Sequence, residues 1–217
     1  MPALPRAQRD NEVGSYYYLA AQLPYLVYGQ ALPMSPSDFA ALARDSMSAA
    51  DGKVLDYCTL DPEPCSLGQL ARGASYAEPA PRTPSAFVNK WKEWERTLRL
   101  NLAKIRSQKL ASAAIGGREG ALLAEAPDHP SDAAGAAKTA MAMESPLDAE
   151  LFLDKARWDA IENFQGIDSF SESAMYAYLL KLLLMERRMM FTVEEGSAEY
   201  KRLYAEVLGS KSFGDEK

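Results

Sequence analysis

Residues 174–185 read Ala-Met-Tyr-Ala-Tyr-Leu-Leu-Lys-Leu-Leu-Leu-Met (AMYAYLLKLLLM), and this stretch decides the fold. Wound at 3.6 residues per turn, it presents apolar side chains on almost every face, with Lys181 as its one charge. A helix without a polar face has to be enclosed. Its twelve residues are too few to cross about 30 Å of hydrocarbon, so the enclosing material is protein and the stretch marks the centre of a helical core. At its start, Phe170 precedes the cap Ser171 and is spaced to staple onto Met175. At its end, near Met190, Glu186, Arg187 and Arg188 return the chain to solvent, and the arginines suit the negative end of the helix dipole.

Working outward, Ser145-Pro146-Leu147-Asp148 is a capping box with proline at the first helical position, launching a helix through Leu151, Trp158, Ile161 and Phe164 that Gly166 stops. A last helix carries Tyr200, Leu203, Tyr204, Val207 and Leu208 on one face, with Gly209 as its C-cap. Upstream, Thr83-Pro84 opens a helix whose apolar face is Phe87, Trp91, Trp94, Leu98, Leu102 and Ile105, at steps of three and four. Between these, residues 111–144 shift to alanine, glycine and small polar types. They read as a flexible insertion holding a weakly anchored helix from Asp132 to Met143.

Nearer the start, Ser37 is placed to cap a helix carrying Phe39, Leu42 and Met47. Tyr16 to Pro24 is apolar, aromatic and stopped by proline, and fits a short strand, an extended segment or a short helix. Asp51 to Pro84 mixes glycine, proline and short apolar words and reads as loop, with one short helix near Leu67 to Arg72. Residues 1–14 read as a disordered tail and 15–217 as a single domain. The class is all-α: an irregular helical bundle around a mostly buried C-terminal helix.

Composition narrows the function. A net charge of −6 and 25% charged residues argue against a broad nucleic-acid surface, which requires clustered cations for counterion release. Cys58 and Cys65, with no secretory signal before them, read as reduced thiols of a cytoplasmic protein, with a local disulfide or a redox pair as the alternative. His129 lies between aspartate and proline inside the insertion, a poor setting for catalysis or metal binding. Cysteine and histidine spacings match no zinc site, and Gly116-Gly117-Arg118-Glu119-Gly120 follows a helix and lacks the lysine of a P-loop. Acid pairs such as Glu93/Glu95 and Glu194/Glu195 read as solvating, and Tyr16–Tyr18, Tyr176 and Tyr178 as core tyrosines with wet hydroxyls. Neither catalytic residues, nor a metal, nor a cofactor are implied. The outer face of the 87–105 helix is basic, with Lys90, Lys92, Arg96, Arg99, Lys104 and Arg106 beside Glu93. It is either a solvated face or a docking face for an acidic partner, and Arg96, Arg99 and Arg106 are its candidate contacts.

Four blocks also carry a resemblance. Tyr16-Tyr17-Tyr18-Leu19-Ala20-Ala21-Gln22-Leu23-Pro24, Trp94-Glu95 through Leu98-Arg99-Leu100-Asn101-Leu102-Ala103, Ser145-Pro146-Leu147-Asp148-Ala149-Glu150 through Arg157-Trp158, and Tyr178-Leu179-Leu180-Lys181-Leu182 through Glu186-Arg187 together resemble a bacterial family of unknown function. Its members are encoded within V-type ATP synthase operons and stand in there for the C (d) subunit. The resemblance implies a non-catalytic all-α subunit that couples or assembles the central stalk on the membrane ring. Its partners would be the stalk and ring subunits, and its place would be cytoplasmic, peripheral to the inner membrane through the complex, without nucleic acid or membrane insertion. The competing readings are a free-standing helical enzyme or regulator with a site between helices, and a membrane-surface adaptor.

Overall fold

A computed structural model of the chain describes residues 16–60, 82–112, 131–189 and 201–205. Within them the protein is all-α, with no strand among the described residues. The elements are α1 (Tyr17–Gln22), α2 (Pro36–Ser46), α3 (Ala49–Val54, continued by a 3-10 turn Leu55–Tyr57), α4 (Ala86–Ser112), α5 (Asp132–Ala142), α6 (Pro146–Gln165) and α7 (Glu172–Met189). Residues 201–205 are also helical. Residues 1–14, Leu67–Arg72, Tyr200 and 207–209, on which expectations were placed, lie outside the described residues.

The starts follow a repeated local chemistry. Ser35, Ser48 and Ser145 each accept a hydrogen bond from the backbone N–H three residues on, where an aspartate sits in the first turn beside the positive end of the helix dipole. The cap of α2 is therefore Ser35 and not Ser37; Pro36, with its φ preset for a first helical position, fixes the start two residues earlier. In α4 the same shift runs the other way: Ser85 Oγ accepts from Val88 N–H at 3.3 Å, while Thr83 turns its hydroxyl to the Asn89 side chain at 3.0 Å. Pro84 thus precedes the helix. Within stretch 16–24, Tyr17–Gln22 forms the short helix α1, and α3 with its 3-10 turn runs through residues 51–57, the start of the span that glycine and proline content marks as loop.

α7 is the axis of the first core. Ala174, Met175, Tyr176, Ala177, Leu179, Leu180, Leu182, Leu184 and Met185 are all buried, against α2, α4 and α6. Leu19, Phe39, Val54, Val88, Trp91, Trp158 and Ile161 are among the other buried members of that cluster. Each leucine or larger residue enclosed there contributes roughly 1.5–3 kcal/mol of transfer free energy. Lys181 is accommodated by running its stem over the Trp158 ring, 5.1 Å from the centroid, to reach Glu162 Oε1 at 3.2 Å.

A second cluster lies along the outer half of α4. Leu98 and Leu102 pack with Leu153 and with Ala133, Ala137 and Ala140 of α5. Alanine spacing of four and three puts the three methyls on one face and lets the backbones approach closely, so α5 is better anchored than its composition suggested. Lys109 closes the end of α5 by donating to the Met141 carbonyl at 2.6 Å, a cation set at a negative helix end. Trp94 packs against both clusters.

Candidate functional site: an ion chain between the two cores

Where the clusters meet, polar groups replace apolar ones. On α4, Glu95 falls in register with Trp91, Leu98 and Leu102, on the face turned toward α6. On α6, Asp154 and Arg157 lie on the buried face with Leu153, Trp158 and Ile161. Glu95 and Asp154 are each 1% exposed. Arg157 holds both: Nε reaches Glu95 Oε2 at 3.0 Å and Nη2 reaches Glu95 Oε1 at 3.1 Å, while Nη1 reaches Asp154 Oδ1 at 3.0 Å. The fork geometry of the guanidinium makes the Glu95 contact bidentate, the strongest form of such a pair.

The chain continues both ways. Arg99 Nε meets Glu95 Oε1 at 2.8 Å, and its Nη2 donates to the Leu60 carbonyl at 2.9 Å. Arg187, from the last turn of α7, meets Glu150 Oε2 at 3.0 Å and stands 3.9 Å from Asp154 Oδ1. The order Arg99, Glu95, Arg157, Asp154, Arg187, Glu150 alternates sign at every step and balances three cations against three anions. It runs from the partly exposed Arg99 through a dry centre to the partly exposed Arg187–Glu150 pair, and so ties α4, α6 and α7 together.

Electrostatics at the centre follow from burial. Burial opposes the charge on Arg157, but Glu95 and Asp154 outweigh it and hold its pKa above the ordinary value. For Asp154 the balance tips the other way. Burial raises its carboxyl pKa despite the pull of Arg187 and Arg157, and its Oδ2 has no hydrogen-bond partner among the described residues. A second polar knot joins α1, α3 and α7: the hydroxyls of Tyr16 and Ser48 donate to Asp51 Oδ2, the latter at 2.9 Å, and Tyr176 OH donates to the Asp51 carbonyl at 3.3 Å. Cys58, a free buried thiol, donates to the Val54 carbonyl at 3.6 Å, and burial pushes its pKa up to about 12.

The chain matches no known protein family, curated protein or solved structure.

The three arginines proposed as partner contacts are not equivalent. Arg106 is exposed; Arg96 is largely covered and faces Glu93 at 3.9 Å; Arg99 is an end of the ion chain. Lys92, also on the supposed outer face, is buried over the Tyr57 ring at 5.0 Å. Glu95, read as solvating, is instead a buried ion-pair partner, and its place three residues before Leu98 and four after Trp91 was the available signal. Trp91 and Trp158 are core anchors as expected, with Nε1 groups donating to the Thr59 carbonyl at 3.1 Å and Glu162 at 2.9 Å. Tyr176 keeps to the core, but Tyr17 and Tyr18 do not: both are exposed, and Phe170 lies 4.3 Å from the Tyr17 ring, centroid to centroid. Cys65, His129, Gly116–Gly120 and Glu194/Glu195 lie outside the described residues. Among the described residues no cluster of His, Cys, Asp or Glu is placed to hold a metal, and no helix is long and apolar enough to cross a membrane.

Proposed function

We infer that this chain is a non-catalytic helical subunit of a bacterial V-type rotary ATPase, similar in role to the C (d) subunit, that couples or assembles the central stalk on the membrane ring. One observation carries the reading. Three of the four blocks on which the resemblance rests, separated along the sequence, converge on the ion chain: Glu95 and Arg99 come from the second, Glu150, Asp154 and Arg157 from the third, Arg187 from the fourth. The groups that unite them neutralise one another and join three helices, which is the work of a mechanical body. Paired in this way across α4, α6 and α7, they support the reading of a body that holds its helices against each other.

The test is purification of the assembled complex through a tag on this chain under conditions that preserve rotary ATPases. Central-stalk and ring subunits are expected in the eluate in fixed ratio; recovery of neither refutes the role. Arg106→Glu is the clean probe of the basic face, because that side chain is exposed and lies apart from the ion chain, whereas Arg99→Glu sets a carboxylate beside Glu95 and disturbs the fold itself.

A further inference from the structure

From Tyr16 to Ser37 the sequence has no Asp, Glu, Lys or Arg, in a chain of which 25% is charged. This uncharged run builds α1 and the segment leading to α2, and it carries bulky side chains outward. Tyr18 and Tyr25 are 81% and 88% exposed, Tyr17 is exposed beside them, and on the adjoining α6–α7 turn Ile167 is fully exposed and Phe170 partly so. The two elements form one surface: Tyr16 N–H donates to the Phe170 carbonyl at 2.7 Å, and the Tyr17 and Phe170 rings are in contact. Tyr25 follows Tyr18 by seven residues, four of them helical, and so lies within about 16 Å of it. Its neighbour Pro24 is pinned, because Tyr178 OH donates to the Pro24 carbonyl at 2.8 Å.

We propose that two copies of this chain associate through this uncharged aromatic surface. Two physical arguments choose a second copy as the occupant. The first is area. At about 200 Å² per large side chain, the exposed parts of Tyr17, Tyr18, Tyr25, Ile167 and Phe170 amount to about 700 Å², close to the roughly 800 Å² each partner contributes to a standard-size interface. The second is self-complementarity. In a two-fold contact the same patch faces itself, so a charge near the axis meets its own copy and a patch of one sign repels itself. This patch brings none from residues 16–37, and Asp168, the nearest acid in the turn, bends back to accept the Phe170 N–H at 2.9 Å. Tyrosine hydroxyls both donate and accept, which lets identical surfaces satisfy each other. The rest of the −6 chain stays outside the contact, where salt screens it.

Self-association needs no other subunit, and so is tested separately from the rotary-ATPase role. The experiment is sedimentation velocity and equilibrium on the full chain between about 1 and 100 μM. A species of twice 23.8 kDa is expected, with a dissociation constant unchanged or tightened between about 50 and 500 mM NaCl. The double substitution Tyr18→Glu with Ile167→Asp sets like charges across the contact at two exposed positions. It should weaken association by about 100-fold or more while the far-UV circular dichroism stays that of the parent. A parent monomeric at 100 μM, a dimer that dissociates as salt rises, or a dimer that survives the double substitution each overturns the proposal.

Discussion

Replacing Arg157 with methionine removes a cation that contacts both buried carboxylates and keeps most of the side-chain volume. Three charge-assisted hydrogen bonds vanish, two to Glu95 and one to Asp154. Glu95 retains Arg99, but Asp154, 1% exposed, is left with Arg187 at 3.9 Å and with Oδ2 without a hydrogen-bond partner among the described residues. At roughly 1.5–3 kcal/mol for each hydrogen bond to a charge, the gross loss exceeds 4 kcal/mol, and relaxation toward Arg99 and Arg187 brings the expected cost to about 3–5 kcal/mol, as for buried pairs broken from one side. Set against a total stability on the order of 5–15 kcal/mol, this is a large fraction. Equilibrium urea unfolding followed by tryptophan fluorescence reads it well, since Trp158 adjoins Arg157 and Trp91 and Trp94 flank Glu95. With m near 2–3 kcal/mol per molar, the midpoint should fall by about 1–2 M. In a double-mutant cycle with Glu95→Leu, the pair should cost at least about 1 kcal/mol less than the sum of the singles. A cost under about 1 kcal/mol for Arg157→Met, or additive singles, would refute the buried chain as drawn.

Further outcomes follow from single sites. Asp154 has its pKa raised in the folded state, mainly by burial, so the fold binds its proton more tightly than the unfolded chain does. That stability is full below the unfolded value near 3.9 and is lost as pH rises through the raised folded value. Asp154→Asn, which lacks the titration, should therefore gain on the parent in melting temperature as pH goes from 4 to 7; a constant difference would contradict it. In a Cys65→Ser background, Cys58 should resist alkylation at pH 8 until denaturant is added, as mass spectrometry would show, because burial holds its thiol at about 12; rapid labelling of the native chain would be inconsistent with that burial. Ser145→Ala should cost about 1 kcal/mol by removing the cap to Asp148 N–H, whereas Ser131→Ala at the start of α5 should cost little, since Ser131 makes no side-chain cap bond; equal costs in urea titrations would count against the assigned caps.

The elements were legible where one local rule sufficed. Ser145-Pro146-Leu147-Asp148 announces α6, and the all-round apolar α7 announces its own burial. α3 is hidden although Ser48 and Asp51 repeat the spacing of Ser145 and Asp148, because it runs into a stretch whose glycines, prolines and short apolar words read as loop; in the fold Gly52 is buried inside that helix. Glu95 shows the other limit. Its register with Trp91 and Leu98 is visible in the sequence, but its partner is 62 residues away, and a carboxylate on an apolar stripe reads as solvated until that partner is known. Tyr17 and Tyr18 fail for a related reason: a six-residue helix can bury only one side, and Leu19 takes it.

What the ion chain contributes is therefore not simply net stability, since a buried pair seldom outperforms well-packed hydrophobes. The surfaces around it are repetitive: leucines along α7, alanines at four- and three-residue steps along α5. Sliding α6 by one turn, about 5.4 Å, would exchange one apolar contact for another at small cost, but would separate Arg157 from Glu95 and strand both in a dry interior. The hypothesis is that the ion chain selects one helix register, and through the α6–α7 turn fixes where Phe170 meets Tyr17. It is tested by Glu95→Leu, Asp154→Leu and Arg157→Met together, which leave Arg187 its bond to Glu150 and Arg99 its bond to the Leu60 carbonyl. This variant should match or exceed the parent in urea, yet give broadened amide and methyl resonances along α6 and α7, the signature of several packings in exchange. Resonances as sharp as the parent's would show that apolar packing alone dictates the register.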